Sequence, residues 1–188
     1  LKTQAGQQIV YDSGNYMKCQ RDLLQEMQFS DFSSRKQKAL DEGRYLGFGM
    51  ANYVKPTGRG PFETGIVRIG TSGNVSVYTG GIAMGQGFQT AMSQLVADQL
   101  GVKPSEVIVV HGDTQSVTQG FGGFASRQTV CAGSSIHLAA VTVREKVLAI
   151  AAHLLEASAA DLELLDGRVS VKGVPEVSVT FREIAAAV

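Results

Sequence analysis

Two glycine-rich corners, each running straight into a helical pattern, constrain this chain more than any other feature. The first is "TGGIAMGQGFQT", Thr79 to Thr90, preceded by an alternating strand, "NVSVYT", and followed by "FQTAMSQLVADQLG". The second lies in "HGDTQSVTQGFGGFASRQ" and opens a longer helical pattern. Between them stands one short apolar run, "EVIVV", which reads as a strand buried on both faces. Two helix starts separated by one such strand can converge at one edge of a sheet.

The chemistry of the first corner follows from what it lacks. Gly80 to Gly87 has the four-residue gap of a phosphate-binding P-loop, but Gln86 and Gly87 stand where lysine and a hydroxyl belong. A triphosphate hydrolase is therefore excluded as the natural reading. Gly85-Gln86-Gly87-Phe88-Gln89-Thr90 has two glycines of a dinucleotide loop, but threonine replaces the third. What remains is a helix start with unpaired amides and a positive dipole end. Gly85 and Gly87 put no Cβ between that backbone and an anion. Gln86 donates and accepts without charge, which suits a polar ligand that is recognised and not split. A tight glycine turn feeding a helix is the ordinary alternative.

In the second corner Gly120, Gly122 and Gly123 precede Phe124-Ala125-Ser126-Arg127-Gln128-Thr129. Ser126 and Thr129 can cap the helix or bind a phosphate oxygen, and plain capping is the ordinary role for Ser126. Arg127 can pair with a phosphate or lie on the surface. Asp113-Thr114 follow the apolar strand, where ligands commonly approach. Loops of this length in a compact domain are functional or disordered.

The remaining pattern is α+β: a two-layer arrangement of a mixed sheet packed against helices, read as a single domain over 1–188. Residues 1–15 read as irregular. Tyr16 to about Met27 and Asp31 to about Glu42 read as helices, closed by Gly43. "RYLGFGMANYV" alternates as a strand would. "FETGIVRIG" and "NVSVYT" follow as strands joined through "TSG". The helix after Phe88 ends at Gly101, with Pro104 beyond it. Arg127 to Ala157 is helical, with small residues (Ala132, Gly133, Ser134, Ser135) in its first turns. "LELLDGRVSVK" is a hairpin turning at Asp166-Gly167. Thr180 and Glu183 form a capping box, so a helix starts as the sequence stops; with no initiator Met, this reads as a fragment of a longer protein.

Charge and side-chain inventory exclude several functions. Seventeen basic and 17 acidic residues cancel, so no field draws in nucleic acid or anionic membrane. Two cysteines make no disulfide framework, and there is no signal peptide or long apolar run, which points to a cytoplasmic setting. His111, His137 and His153 have no ligand-like spacing. Glu63, just ahead of a strand, can be buried and functional, but an ordinary strand-edge carboxylate is the usual role. No pair of residues looks like a general acid and base. The chain reads as one that binds.

At these residues the chain resembles part of the large, molybdenum-binding subunit of the molybdenum hydroxylases: xanthine dehydrogenase, aldehyde oxidase and aerobic-type carbon monoxide dehydrogenase. "YDSGNY", "GMANYVKPTGRGPFETGIVRI", "TGGIAMGQGFQTAMSQLVADQLGV", "VVHGDT" and "GGFASRQTVCAGSS" stand in the family's order. The resemblance implies that both corners contact a molybdopterin cofactor, as its cytosine dinucleotide in bacterial members. Gly85, Gln86, Gly87, Phe88 and Thr90 belong to the first contact; Gly123, Phe124, Ala125, Ser126, Arg127, Gln128 and Thr129 to the second, with Asp113 and Thr114 leading in. Ala125 departs from a frequent glycine, and Gln128 from a frequent serine or threonine. The implied reaction is oxidative hydroxylation of a small molecule, or oxidation of carbon monoxide, with water as oxygen source. Electrons leave through iron–sulfur and FAD subunits. The dithiolene of the pterin holds the metal, so no protein ligand to molybdenum is needed. The rest of the large subunit completes the site, so the chain alone is expected not to turn over. Two other readings remain, a non-catalytic assembly domain and a generic nucleotide-binding module.

Overall fold

The computed structural model describes residue 2 and residues 6–188. It divides the chain into two units, Leu1–Val54 and Lys55–Val188, where the sequence reads as one domain.

The first unit holds helices α1 (Tyr16–Glu26) and α2 (Phe32–Asp41), joined by a 3-10 turn at Phe29–Asp31. The Asn15 side chain caps α1 by accepting from the Lys18 N–H, and Gly43 closes α2 in the left-handed region at φ 72°. Part of the stretch expected to be irregular, residues 1 and 3–5, lies outside the described residues; the rest carries only an isolated bridge between Lys2 and Gln8. The expected strand at 44–54 is absent. Those residues are extended without a ladder, because no strand among the described residues takes up their amides and carbonyls. Its alternation serves instead to turn Phe48 onto Phe29 and Phe32, with ring centroids 4.6 and 5.8 Å apart.

The second unit is α+β. Strands β1 (Gly65–Ile69), β2 (Val75–Thr79) and β3 (Val107–His111) form a mixed sheet in that order. β1 pairs antiparallel to β2, and β2 pairs parallel to β3. Helix α3 (Phe88–Leu100) makes the crossover between the parallel strands, ending at Gly101 in the left-handed conformation. After β3 a π-helical turn at Gln128–Gly133 feeds helix α4 (Ser134–Leu154). Strands β4 (Leu162–Leu165), β5 (Arg168–Val171) and β6 (Val174–Thr180) form an antiparallel meander, and α5 (Phe181–Ala186) follows. The β4–β5 turn has Asp166 and Gly167 both at positive φ, 50° and 70°, as a two-residue hairpin of this twist requires.

The core is built where α3 and α4 cover the mixed sheet: Val75, Val77, Met92, Val96, Leu100, Ile136 and Ala140 are buried. The small residues opening α4 allow the expected close approach. A Cβ on Gly65 in β1 would stand 2.6 Å from the Ile136 nitrogen and 2.8 Å from the Ser135 carbonyl carbon. One expectation fails here. β3 is an edge strand and not buried on both faces; Ile108 is 55% exposed. Its outward residues are as apolar as its inward ones, so the run carries no period that marks the open side. No helix among the described residues is long and apolar enough to cross a membrane.

Candidate functional site

The sheet topology decides which loops meet. Because β2 and β3 are parallel with Thr79 opposite His111, both strands leave the sheet at the same edge. β1 runs the other way, with Gly65 opposite Thr79, so its approach lies at that edge too. The first glycine corner follows β2, the second follows β3, and Glu63 stands two residues ahead of β1.

The first corner is packed at its base and open at its tip. A Cβ on Gly80 would lie 2.6 Å from the Gly120 Cα and 2.4 Å from Glu63 Oε1, so the two corners cross backbone to backbone here. The Thr79 hydroxyl, buried at the end of β2, accepts from the Gly81 N–H at 3.1 Å. Gln86 folds back over its own corner: Oε1 accepts from the Met84 N–H at 2.6 Å and Nε2 donates to the Ile82 carbonyl at 3.2 Å. Gly85 and Gly87 have φ of 92° and 74°, and a Cβ on either would meet nothing within 4 Å. No side chain caps α3 at Gly87. Its first-turn amides therefore face an open, electropositive corner. Of the residues expected here, Phe88 offers only its backbone, since its ring is buried in the core, edge-on to His111 at 6.0 Å. Thr90 is exposed on the first turn. The Nδ1 of His111 is buried without a hydrogen-bond partner among the described residues.

The second corner is held by a buried ion pair. Arg127, the largest fully buried side chain among the described residues, donates from Nη1 to Glu63 Oε2 at 2.8 Å and to the Gly122 carbonyl at 2.7 Å. Its Nε donates to the Arg59 carbonyl at 2.8 Å, and Nη2 donates to the Phe62 carbonyl. The rings of Phe121 and Phe124 stack on it, 5.4 and 5.2 Å from the guanidinium carbon. Arg127 is thus not on the surface, and its side chain is committed to the protein. Glu63, read from sequence as an ordinary strand-edge carboxylate, is buried and also accepts from the amides of Phe121 (3.1 Å) and Gly122 (2.9 Å). Removing one partner from such a pair costs about 3–5 kcal/mol, because the other charge is left buried.

Past that anchor, Ala125 and Ser126 occupy consecutive left-handed conformations, φ 45° and 52°. Two adjacent non-glycine residues there store strain of about 1–2 kcal/mol each, a pattern that concentrates at functional corners. Ser126 and Thr129 are exposed, and neither caps the following helix; the Ser126 carbonyl accepts from the Gly58 N–H at 3.3 Å.

Gln128 joins the two corners. Its Oε1 accepts from the Ile82 N–H at 3.0 Å and its Nε2 donates to the Ile82 carbonyl at 2.7 Å. Gln86 and Gln128 therefore meet on one carbonyl oxygen. Gly123 packs beneath: a Cβ there would lie 2.2 Å from Gln128 Nε2 and 2.9 Å from Met84 Cε. Asp113 and Thr114 leave β3 at the same edge, but the bonds of Asp113 stay within its own turn, to the Ser116 hydroxyl and the Gln115 N–H (3.0 Å). Those bonds, led by Ser116, hold its carboxyl below the usual aspartate range. Among the described residues no group of three or more His, Cys, Asp or Glu side chains gathers as a metal site would. Sequence reasoning placed Gly80 and Gly120 in the corners without their contact, ranked the buried, functional reading of Glu63 second, and missed Ile82. Their only signal is their pairing across the fold, 64 residues in the case of Glu63 and Arg127.

Residues 22–188 match the family described as molybdopterin cofactor-binding domain. The chain is 38% identical over 177 residues to the 6-hydroxypseudooxynicotine dehydrogenase complex subunit gamma of Paenarthrobacter nicotinovorans, covering 94% of this chain and 22% of that one. It is 33% identical over 192 residues to the carbon monoxide dehydrogenase large chain of Afipia carboxidovorans, covering 93% and 24%. Among solved structures, quinoline 2-oxidoreductase from Pseudomonas putida 86 superposes with a TM-score of 0.63 at 35% identity, over 100% of this chain and 25% of that one. The chain thus spans about a quarter of the length of these relatives. With a family match over most of its length and an ordered pair of glycine corners at one sheet edge, the chain belongs to the molybdopterin cofactor-binding domain family of molybdenum hydroxylase large subunits.

Proposed function

We propose that the two corners hold the phosphorylated tail of a molybdopterin cofactor in its cytosine dinucleotide form. The full-length protein is then the large subunit of an oxidoreductase that hydroxylates a small molecule, or oxidises carbon monoxide, with water as oxygen source. Iron–sulfur and FAD subunits take up the electrons. The bound cofactor supplies the metal and the redox chemistry; the residues of this chain supply binding and orientation.

The observation that carries the reading is the junction at Ile82. Gln128, two residues past the strained Ala125–Ser126 backbone, fixes both polar groups of that residue, which lies in the corner that leads to the uncapped start of α3. The open glycines Gly85 and Gly87 fit a phosphate, which needs bare backbone amides and tolerates no Cβ. Ser126 and Thr129 add exposed hydroxyls. Asp113 remains ionised at neutral pH, so it suits the N–H donors of a base or pterin ring and not a phosphate oxygen. Gln86 and Arg127 act differently from one another: Gln86 shapes the first corner at the surface, while Arg127 shapes the second from within.

The test is the metal and pterin content of the full-length subunit, expressed with its maturation machinery. The parent holds both stoichiometrically, and Gln86→Ala with Ser126→Ala lowers both. A parent protein without molybdenum or pterin refutes the proposal, and unchanged content in the variants assigns the corners to assembly.

A further inference from the structure

Behind the exposed faces of the corners lies a buried ion pair. Glu63 and Arg127 are both almost wholly removed from solvent, their side chains 1% and 0% exposed. Burying a pair of charges gains little stability over apolar packing of the same volume. What distinguishes this pair is the number of segments it ties. Through Arg127 it reaches the carbonyls of Arg59, Phe62 and Gly122; through Glu63 it takes the amides of Phe121 and Gly122. Next to it the Thr64 hydroxyl donates to the Gln119 carbonyl at 2.6 Å. The carboxylate also lies in the crossing of the corners, where a Cβ on Gly80 or Gly120 would stand 2.4 or 2.9 Å from Oε1. Four backbone groups of 119–122, the Gln119 and Gly122 carbonyls and the Phe121 and Gly122 amides, are therefore held by residues 63, 64 or 127.

We propose that Glu63, acting through Arg127, is a positioning residue for the cofactor. Its carboxylate sets the path of the second corner, and through Arg127 it sets where the Ala125–Ser126 backbone stands relative to the first. The inference rests on the cofactor reading given above. Glutamine at 63 keeps the volume but turns an N–H₂ toward donors. Lysine at 127 keeps the charge but, as a point donor on a flexible stem, cannot span four acceptors spread over 59–63 and Gly122 at once.

The experiment uses the full-length subunit with its maturation machinery and compares Glu63→Gln, Arg127→Lys and the double variant Glu63→Met/Arg127→Met. Three quantities are read: thermal midpoint, hydrogen exchange of the Phe121 and Gly122 amides, and molybdenum and pterin per subunit. Glu63→Gln is expected to speed exchange at both amides several-fold and to lower cofactor content several-fold. The double methionine variant, which leaves no unpaired buried charge, is expected to recover the midpoint but not the cofactor content; it also keeps the test open if the single variants fail to fold. Unchanged exchange in Glu63→Gln overturns the positioning role and leaves the cofactor reading standing. Faster exchange with full cofactor content in every variant overturns the positioning role and removes the second corner from the cofactor contact, because that corner then holds nothing that depends on its path. Recovery of both midpoint and cofactor in the double variant reduces the pair to core filling and also overturns the proposal.

Discussion

Replacing Gln128 by alanine removes the two hydrogen bonds that tie the corners together, at 3.0 and 2.7 Å to the N–H and carbonyl of Ile82. The two losses are unequal. The Ile82 carbonyl keeps a donor in Gln86 Nε2 at 3.2 Å, whereas its N–H loses its acceptor. Ile82 is 41% exposed, so water can take the vacated place. A buried pair of such bonds would contribute about 1 kcal/mol each; here the net loss is about 1 kcal/mol in total. For a unit of this size that lowers the thermal midpoint by about 3–5 °C. Cofactor content should fall further than this small figure suggests, because the same bonds set the distance between two contact surfaces, and misplacement is costlier to binding than to folding. Gln128→Glu separates geometry from volume. Its carboxylate still accepts from the Ile82 N–H but faces the Ile82 carbonyl with another acceptor, so content should fall as it does in alanine although the side-chain bulk is kept. The assays are thermal unfolding and metal and pterin analysis of the full-length subunit. If both variants match the parent in cofactor content, the junction does not align the corners and the reasoning fails.

Other outcomes follow from single positions. Ala125→Gly relieves a left-handed residue at φ 45°, a gain of about 1–2 kcal/mol offset by about 0.5–1 kcal/mol of glycine chain entropy, so the denaturant midpoint should rise slightly and not fall. Gly65→Ala forces a methyl to within 2.6 Å of the α4 backbone, with no flexible side chain to yield; urea unfolding should show a loss of at least about 1–3 kcal/mol. The Thr180 N–H and hydroxyl both bond the Glu183 carboxylate at 2.7 Å, and these bonds, the backbone one foremost, hold its carboxyl below the usual glutamate range. A depressed folded-state value means that the cap's contribution is complete above the ordinary glutamate value and is lost as pH falls through the depressed one. An NMR titration of Glu183 should therefore place its midpoint below that of an unpaired glutamate, and Glu183→Gln should abolish the acid-dependent loss of α5.

Where the sequence was a good guide, the determining interaction is local. The Asp166-Gly167 hairpin needs two residues at positive φ and has a pair that tolerates it. The Thr180–Glu183 box closes within one helical turn, and the ends of α3 at Gly87 and Gly101 follow from adjacent glycines. Where it misled, the deciding partner is remote or missing. The alternation at 44–54 has the period of a strand, but a period specifies faces and not a ladder, and no neighbour among the described residues completes one. The apolar run of β3 shows that it is extended, but not that one side of it is an edge. The site divides along the same line. Gly85, Gly87 and the second corner are visible because bare backbone before a helix has a compositional signature. The roles of Gln86, Gln128 and Arg127 are not, because each depends on which carbonyl its side chain reaches. Gln86 and Gln128 share the oxygen of Ile82, and Arg127 turns inward to Glu63. A polar side chain in a glycine-rich corner is thus as well suited to holding the corner in shape as to touching a ligand. In this chain the side chains of Gln86, Gln128 and Arg127 hold the corners in shape, so under the proposed function the cofactor contacts fall to the backbone amides and the exposed hydroxyls of Ser126 and Thr129.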